Sequence, residues 1–480
     1  MAVKDIVKRI TGADLADAEQ EFLRECAAFS LSSERLKNYG TYEDYYGGKF
    51  KTQLLDRARR ILEANGFSYG ENLCETVIDK MASALSVTNV RSDDQAASDW
   101  ATRRIADIGF QELQGIVHTN VPMLGDGFVA VEFSEQLGRV KWTWNHPRLC
   151  DPHYADDGSE MTMLVKCWNT TNVARTNPNG NAIRRMNLYY PDRLEKYFAV
   201  GKENQALWAK HIDTEDVDEF GGAVWPVWYT DTGDQDGEPL GITIFHIRNK
   251  AKGKNFGRSE LRKAIPMQDS HNKSVLDLFY VMDSQAWKVR WGSGVPSDTD
   301  LAVAIGEWVT SPDPAARFGE LSAEDPRALS ETLDDGLRRF AALNTTPLPD
   351  LIKGQQPSGE SRKTVYADFV SKVLDRQGSY GGAYKRMWEH SLKIEQVYGL
   401  DAPDTEDPNF QIDWKSPEIR SDQEVRENLA TEVRDLGLSK ATALDQLGYD
   451  GQAELEKSAE EAASIAEAAR RAFDAGHPVP

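Results

Sequence analysis

Three groups of residues in this chain have types and spacings that could do chemistry. Asp151-Pro-His153, with Asp156-Asp157 just beyond, offers oxygen and imidazole ligands of the kind a metal-dependent phosphoesterase or nuclease uses. The same residues, closed by Gly158, also describe a turn in which Asp, Pro and Gly serve backbone geometry alone. His271 stands two residues beyond Asp269 and could titrate near neutral pH, or could be a plain helix-surface histidine. Lys250, Lys252, Lys254 and Arg258 form the densest cluster of cations. It suits a salt-bridged patch, on the surface or between subunits, or contact with a phosphate backbone.

The motifs of energy-coupled or hydrolytic chemistry are absent from the sequence. It contains no Gly-x-x-x-x-Gly-Lys-Ser/Thr phosphate loop, no His-Glu-x-x-His and no Gly-x-Ser-x-Gly. Asn169-Thr-Thr171 matches a glycosylation acceptor, which means nothing without a secretion signal. The expectation is a protein with no catalytic centre, no metal and no cofactor.

Composition narrows the class. The 480 residues allow several domains, and 40% hydrophobic with 28% charged residues is an ordinary soluble balance. Nothing approaches the apolar run of about 18 residues that a membrane span needs. Met1-Ala-Val-Lys-Asp does not read as a signal peptide. Cys26, Cys74, Cys150 and Cys167 are scattered without Cys-x-x-Cys spacing, as expected of buried thiols in a reducing cytoplasm. The net charge of −21 argues against a free duplex-DNA binder, whose affinity rests on neutralising phosphates. It fits either simple solubility or a surface that lets DNA pass without holding it.

The elements that must position these residues follow from periodicity. Residues 19–26 and 54–62 show helical spacing, with Tyr42, Tyr45, Tyr46 and Gly47 read as a loop between them, and 72–120 continue as helices. A strand over 125–133 leads into alternating runs at 140–144, 161–168, 186–190 and 195–200, separated by turn clusters such as Asn177-Pro-Asn-Gly-Asn181; together they predict one antiparallel sheet. A strand over 242–247 and a basic turn precede one long helix over 259–291, about 50 Å at 1.5 Å per residue. Ser259 is its expected N-cap, Gly257 a candidate for positive φ, Pro266 a kink or a break that splits off its first turn, and Gly292 and Gly294 its end. Residues 293–325 are rich in Pro, Asp and Ser around a kernel that includes Trp308, Val309 and Phe318, too small to fold alone. A helix over 328–343 follows, with Leu329, Leu333, Leu337, Phe340 and Leu343 on its apolar face. Residues 347–359, with their prolines and glycines, exclude regular structure. Another helix runs over 361–398, with a kink expected at Gly378, Gly381 and Gly382. A strand over 411–417 and helices over 422–436, 438–447 and 453–473 complete the chain.

This order resembles the portal proteins of tailed bacteriophages, closest to the siphophage subgroup. The resemblance is carried by Gly257-Arg258-Ser259-Glu-Leu, then Pro266-Met-Gln-Asp-Ser-His-Asn-Lys273 and the long helix. Tyr45-Tyr46-Gly47-Gly48, the helix over 72–85 and Gly125-Asp-Gly127 before a strand support it. It implies an α+β portal fold: wing 1–256, first stem helix 257–292, clip 293–325, second stem helix 326–346, tunnel loop 347–360, long wing helix and strand 361–420, crown 421–480. It implies a homododecameric ring at the capsid vertex of the virion, assembled in the host cytoplasm. Double-stranded DNA passes through it without sequence-specific reading. The implied partners are further copies of the chain, the major capsid protein, the large terminase subunit and a head–tail adaptor protein. If the tunnel loop lines the bore, Lys353, Gln355, Gln356, Arg362 and Lys363 are the candidates to touch passing backbone.

Overall fold

A computed structural model describes residues 17–29, 34–50, 70–134, 136–158, 160–170, 183–200, 207–210, 240–251, 253, 255–286, 290–293, 314–320, 326–347, 359–399, 401–418, 422–447 and 451–474. The chain divides into two compact units: Met1–Ser358 with Ala367–Pro417, and Gly359–Tyr366 with Glu418–Pro480. Helices and antiparallel sheets alternate through the first, and the class is α+β as expected.

In the first unit α1 (Asp17–Ala28) and α2 (Glu34–Tyr46) come first. The tyrosines at 42, 45 and 46 are not a loop. They continue α2, because Tyr39 and Tyr45 bury their rings against Leu73, Val77 and Leu261, and the chain turns only at Gly47-Gly48. Next is α3 (Leu73–Ala84), capped by Asn72, whose Oδ1 accepts from the Glu75 N–H at 3.1 Å. The expected run of helices is then interrupted by β1 (Val87–Arg91). After it come α4 (Gln95–Asp107), α5 (Phe110–Leu124), β2 (Asp126–Ser134) and β3 (Arg139–Asn145). A single 3₁₀ turn, Pro147–Leu149, precedes β4 (Cys150–Tyr154). Then follow β5 (Met161–Thr170), β6 (Ile183–Tyr189), β7 (Leu194–Val200), β8 (Leu207–Lys210) and β9 (Ile244–Arg248).

Two sheets, not one, are built from these strands: a three-stranded sheet in the order β3-β2-β9 and a five-stranded meander β4 to β8. The reason is that β2 is flanked on both sides, by β3 and β9, while the 3₁₀ turn redirects the chain before β4. On one face of the meander, α1 buries Leu23 and Cys26 against Cys167, Met186, Tyr197 and Trp208. All four cysteines are buried free thiols.

The long helix α6 (Leu261–Ala286) is shorter than the expected 259–291, about 39 Å for its 26 residues. It passes through Pro266 without being split. Arg290–Ser293 is not helical: it forms β10, paired antiparallel with β11 (Arg317–Glu320). The helical period reaches residue 289, but a ladder with a distant segment captures the next residues, where Gly292 weakens helix. Next comes α7 (Pro326–Asn344), close to the expected limits. It packs antiparallel to α6, with Leu337 and Phe340 against Leu261, Ala264 and Ile265. The helix α8 (Gly359–Tyr398) is one element of 40 residues, unbroken at its glycines. At Gly381 an added Cβ would lie 3.3 Å from the Trp414 indole nitrogen. β12 (Gln411–Trp414) pairs with β1 across more than three hundred residues of chain.

In the second unit, α9 (Asp422–Thr431) runs into a π-helical turn, Glu432–Leu436, ended by Gly437 in the left-handed region. α10 (Lys440–Gln446) follows, its N-terminus capped by Ser439 Oγ, which accepts from the Thr442 N–H at 3.1 Å. It packs closely on α11 (Gly451–Asp474): a Cβ at Gly451 would come 2.1 Å from the Ala441 carbonyl oxygen.

Candidate functional site

The residues singled out around 257–260 meet at one corner of the first unit, where β2, β9, α5, α6 and α8 converge. Gly125 ends α5 in the left-handed region (φ 97°), and its carbonyl accepts from the Asn249 N–H at 2.8 Å. Helix α5 leaves carbonyls unpaired at its C-terminus, and the start of α6 offers unpaired donors. The two ends satisfy each other: Glu260 N–H donates to Pro122 O at 2.9 Å, and Ser259 Oγ–H donates to Met123 O. Ser259 Oγ also accepts from the Leu261 N–H at 2.9 Å, the N-cap role expected of it.

Gly257 is required, but not for positive φ, which it does not adopt. A Cβ there would lie 2.0 Å from Gly125 O and 2.7 Å from both the nitrogen and the oxygen of Asn249. The constraint is close approach of three backbone segments.

Asp126, at the start of β2, is the acceptor that ties the corner together. Its Oδ1 accepts from Gly257 N–H at 2.7 Å and from His246 Nε2 at 2.9 Å, and its Oδ2 from Tyr39 O–H at 3.0 Å. Tyr154 O–H reaches His246 Nδ1 at 2.7 Å, so the ring is bonded at both nitrogens. Burial pushes His246 below the usual histidine range despite its carboxylate partner, and burial beside Asp126 pushes the Tyr39 hydroxyl up. No sequence signal flagged this Tyr–His–Asp chain, because its bonded members lie 87 to 120 residues apart.

Glu260 is the second node. It is 5% exposed, and its carboxylate takes Lys250, Lys372 at 3.0 Å, Arg376 at 3.1 Å and the Asn249 amide at 3.1 Å. Burial alone would raise its pKa. The cations of Lys372, Lys250 and Arg376 outweigh burial and hold it at about 2. Burial likewise lowers Lys250. Of the basic cluster, Lys250 is thus spent on an intramolecular pair and Arg258 is exposed, while Lys252 and Lys254 lie outside the described residues.

The polar residues that follow on α6 hold it to the helices beneath. Gln268 Oε1 accepts from the N–H groups of Leu73 and Cys74, at 2.7 and 3.2 Å, serving the N-terminus of α3 from a helix far along the chain. Asp269 accepts from Tyr45 O–H at 2.7 Å. His271 is not a surface histidine: it is buried, with Nε2 2.6 Å from Glu71 Oε2.

Residues 257–260 of this corner lie in the stretch that carries the resemblance, and the chain holds that stretch within a wider match. The family model for phage portal protein, SPP1 Gp6-like, matches residues 31–468. The chain belongs to the phage portal protein family. No curated protein sequence matches it. In this portal protein the Asp151–His153 segment is strand β4, not a turn; the turn comes after it, at 155–158. Asp151 is held by Arg35 at 2.7 Å, and His153 lies 3.6 Å from the same carboxylate. Among the described residues no group of three or more His, Cys, Asp or Glu side chains is arranged to hold a metal ion, and no helix is long and apolar enough to cross a membrane. Trp308, Val309, Lys353, Gln355 and Gln356 lie outside the described residues, as do the side chains of Phe318 and Arg362. The backbone of Phe318 pairs with Gly292 in the β10–β11 ribbon, and Lys363 is exposed on α8.

Proposed function

We propose that this portal protein closes into a homododecameric ring at the capsid vertex, through which double-stranded DNA is packaged and later ejected. In this reading it docks the large terminase subunit and then a head–tail adaptor protein, contacts the major capsid protein, and catalyses nothing itself. The observation that carries the reading is the family match over residues 31–468, within which α6 and α7 form an antiparallel pair anchored at one end by the polar corner. The pair reads as the stem, and the β10–β11 ribbon as part of the clip. Met282 on α6 and Leu343 on α7 are 50% and 59% exposed within the single chain. Apolar residues left open on a two-helix pair suit burial against a neighbouring copy in a heterologous ring. Residues 1–256, 361–420 and 421–480 are then wing, long wing helix with its strand, and crown.

The mechanism is steric and electrostatic. A net charge of −21 per chain disfavours adhesion of DNA to the ring. The tunnel loop at 347–360 would supply Lys353, Gln355 and Gln356, with Arg362 and Lys363 behind them, for transient contact with phosphates. The test is the mass of the purified protein with a negative-stain image. A closed ring of high mass is expected. A species that stays monomeric at high concentration, with no ring in assembled particles, defeats the reading.

A further inference from the structure

One residue of the corner bonds both the residue that precedes α6 and the last residue of α7. Lys372 stands on α8, with its side chain 10% exposed. Its ammonium lies 3.0 Å from the carboxylate of Glu260, immediately before α6, and donates at 2.9 Å to the main-chain carbonyl of Asn344, the last residue of α7. The final carbonyls of a helix need partners and carry partial negative charge. Those of α7 are served locally, Phe340 O by the Asn344 amide and Ala341 O by the Thr346 N–H. The carbonyl of Asn344 is instead served from α8.

Lys250 and Arg376 share Glu260 with this lysine. What Lys372 adds is the bond to α7. We infer that Lys372 is a positioning residue that fixes the base of α7 to the base of α6 and so sets the spacing and direction of the two-helix stem. The inference rests on the reading of α6 and α7 as the portal stem. The apolar contacts of Leu261, Ala264 and Phe340 still hold the helices together without it. Such contacts are non-directional, and packed helices can slide between arrangements.

The experiment is a distance measurement within one chain. Spin labels are placed at Asp277→Cys on α6 and Glu331→Cys on α7, both exposed positions. The native thiols are buried and pushed up, Cys26 to about 11 and Cys74, Cys150 and Cys167 to about 12, so they label slowly. Labelled chain is diluted with unlabelled chain and the interspin distribution is read by pulsed dipolar spectroscopy. Lys372→Met should at least double the width of the distribution, and Lys372→Arg should keep it narrow. A lower melting temperature in Lys372→Met with an unchanged distribution overturns the inference, because lost stability alone explains it. If Lys372→Met does not fold, Lys372→Gln is read the same way, and an unchanged width again overturns it. The measurement works on a monomer or a ring. Wild-type protein that forms no ring defeats the portal-ring reading alone, whereas intact rings with an unchanged distribution in the variant defeat this inference alone.

Discussion

The α-carbon of Gly257 faces the carbonyl oxygen of Gly125 so closely that a β-carbon on Gly257 would lie 2.0 Å from that oxygen. Two glycines from segments more than a hundred residues apart thus share one contact, and α6 leaves the sheet from it. The Gly257 N–H is also engaged, by Asp126 at 2.7 Å. The corner has no slack on either side.

Gly257→Ala should therefore cost more than an ordinary small-to-large change. The obstructing atoms are backbone of Gly125 and Asn249, which cannot swing aside as a side-chain tip can. A loss of about 3 kcal/mol or more is expected, with a matching fall in ring yield. Urea denaturation and sedimentation measure the two effects. Wild-type stability and assembly in this variant would remove the corner from the account.

The Glu260 node predicts an acid limb. Its folded pKa of about 2 lies below the ordinary 4.5, so the node contributes stability above about pH 4.5 and loses it as the pH falls towards 2. By linkage the contribution is on the order of 3 kcal/mol. Glu260→Gln should be less stable at neutral pH, because Lys372, Lys250 and Arg376 are left without their buried partner, at a cost of about 3–5 kcal/mol. The gap between wild type and variant should shrink as the solution is acidified. Urea midpoints at about pH 6 and about pH 3 check this. A gap that stays constant would mean that Glu260 is not the titrating group.

Gln268 offers a cleaner test, at one uncharged side chain. Its Oε1 accepts from two backbone donors at the start of α3, and its Nε2 donates to Glu71 O at 2.6 Å. Gln268→Leu keeps the bulk and leaves those buried groups unpaired, for a loss of about 2–3 kcal/mol. Hydrogen exchange at Leu73 and Cys74 should accelerate ahead of the rest of α3. Unchanged protection there would show that another group caps the helix.

Much of this arrangement was legible in sequence order because it is local. Ser259 and Ser439 have the residue type and placement of N-caps, and both act as such. The period of α7 was readable too, as was a strand over 411–417, which ends earlier, at Trp414. The main misreadings are non-local. β1 is a five-residue strand whose identity depends on Trp414, Asp413 and Ile412. Arg290–Ser293 reads as the end of a helix until residues 317–320 pair with it. The tyrosines of α2 look like a loop beside Gly47-Gly48, yet burial on α3 and α6 keeps them helical. Gly257 was marked as special from its type, but the reason, a clash with Gly125, exists only in three dimensions. Asp126 and Glu260, which collect most of the corner's bonds, carry no local signal that separates them from other acidic residues.

The last prediction concerns the segment read as the tunnel loop, 347–360, whose last two residues already belong to α8. Pro347, Pro349 and Pro357 with Gly354 disfavour helix and strand, and connections longer than about 12 residues without regular structure tend to serve function. The reading as a tunnel loop puts Lys353, Gln355 and Gln356 next to DNA. Deleting residues 352–356 removes none of the described core and leaves the Lys372 bonds to Asn344 and Glu260 in place. Rings should therefore form in normal yield, while particles assembled with the variant should package less DNA or lose it sooner after filling. DNA content per particle, followed over time by nuclease protection, measures both. Equal filling and equal retention, or location of the loop on the outer surface of an assembled ring, would take the channel role away from this segment.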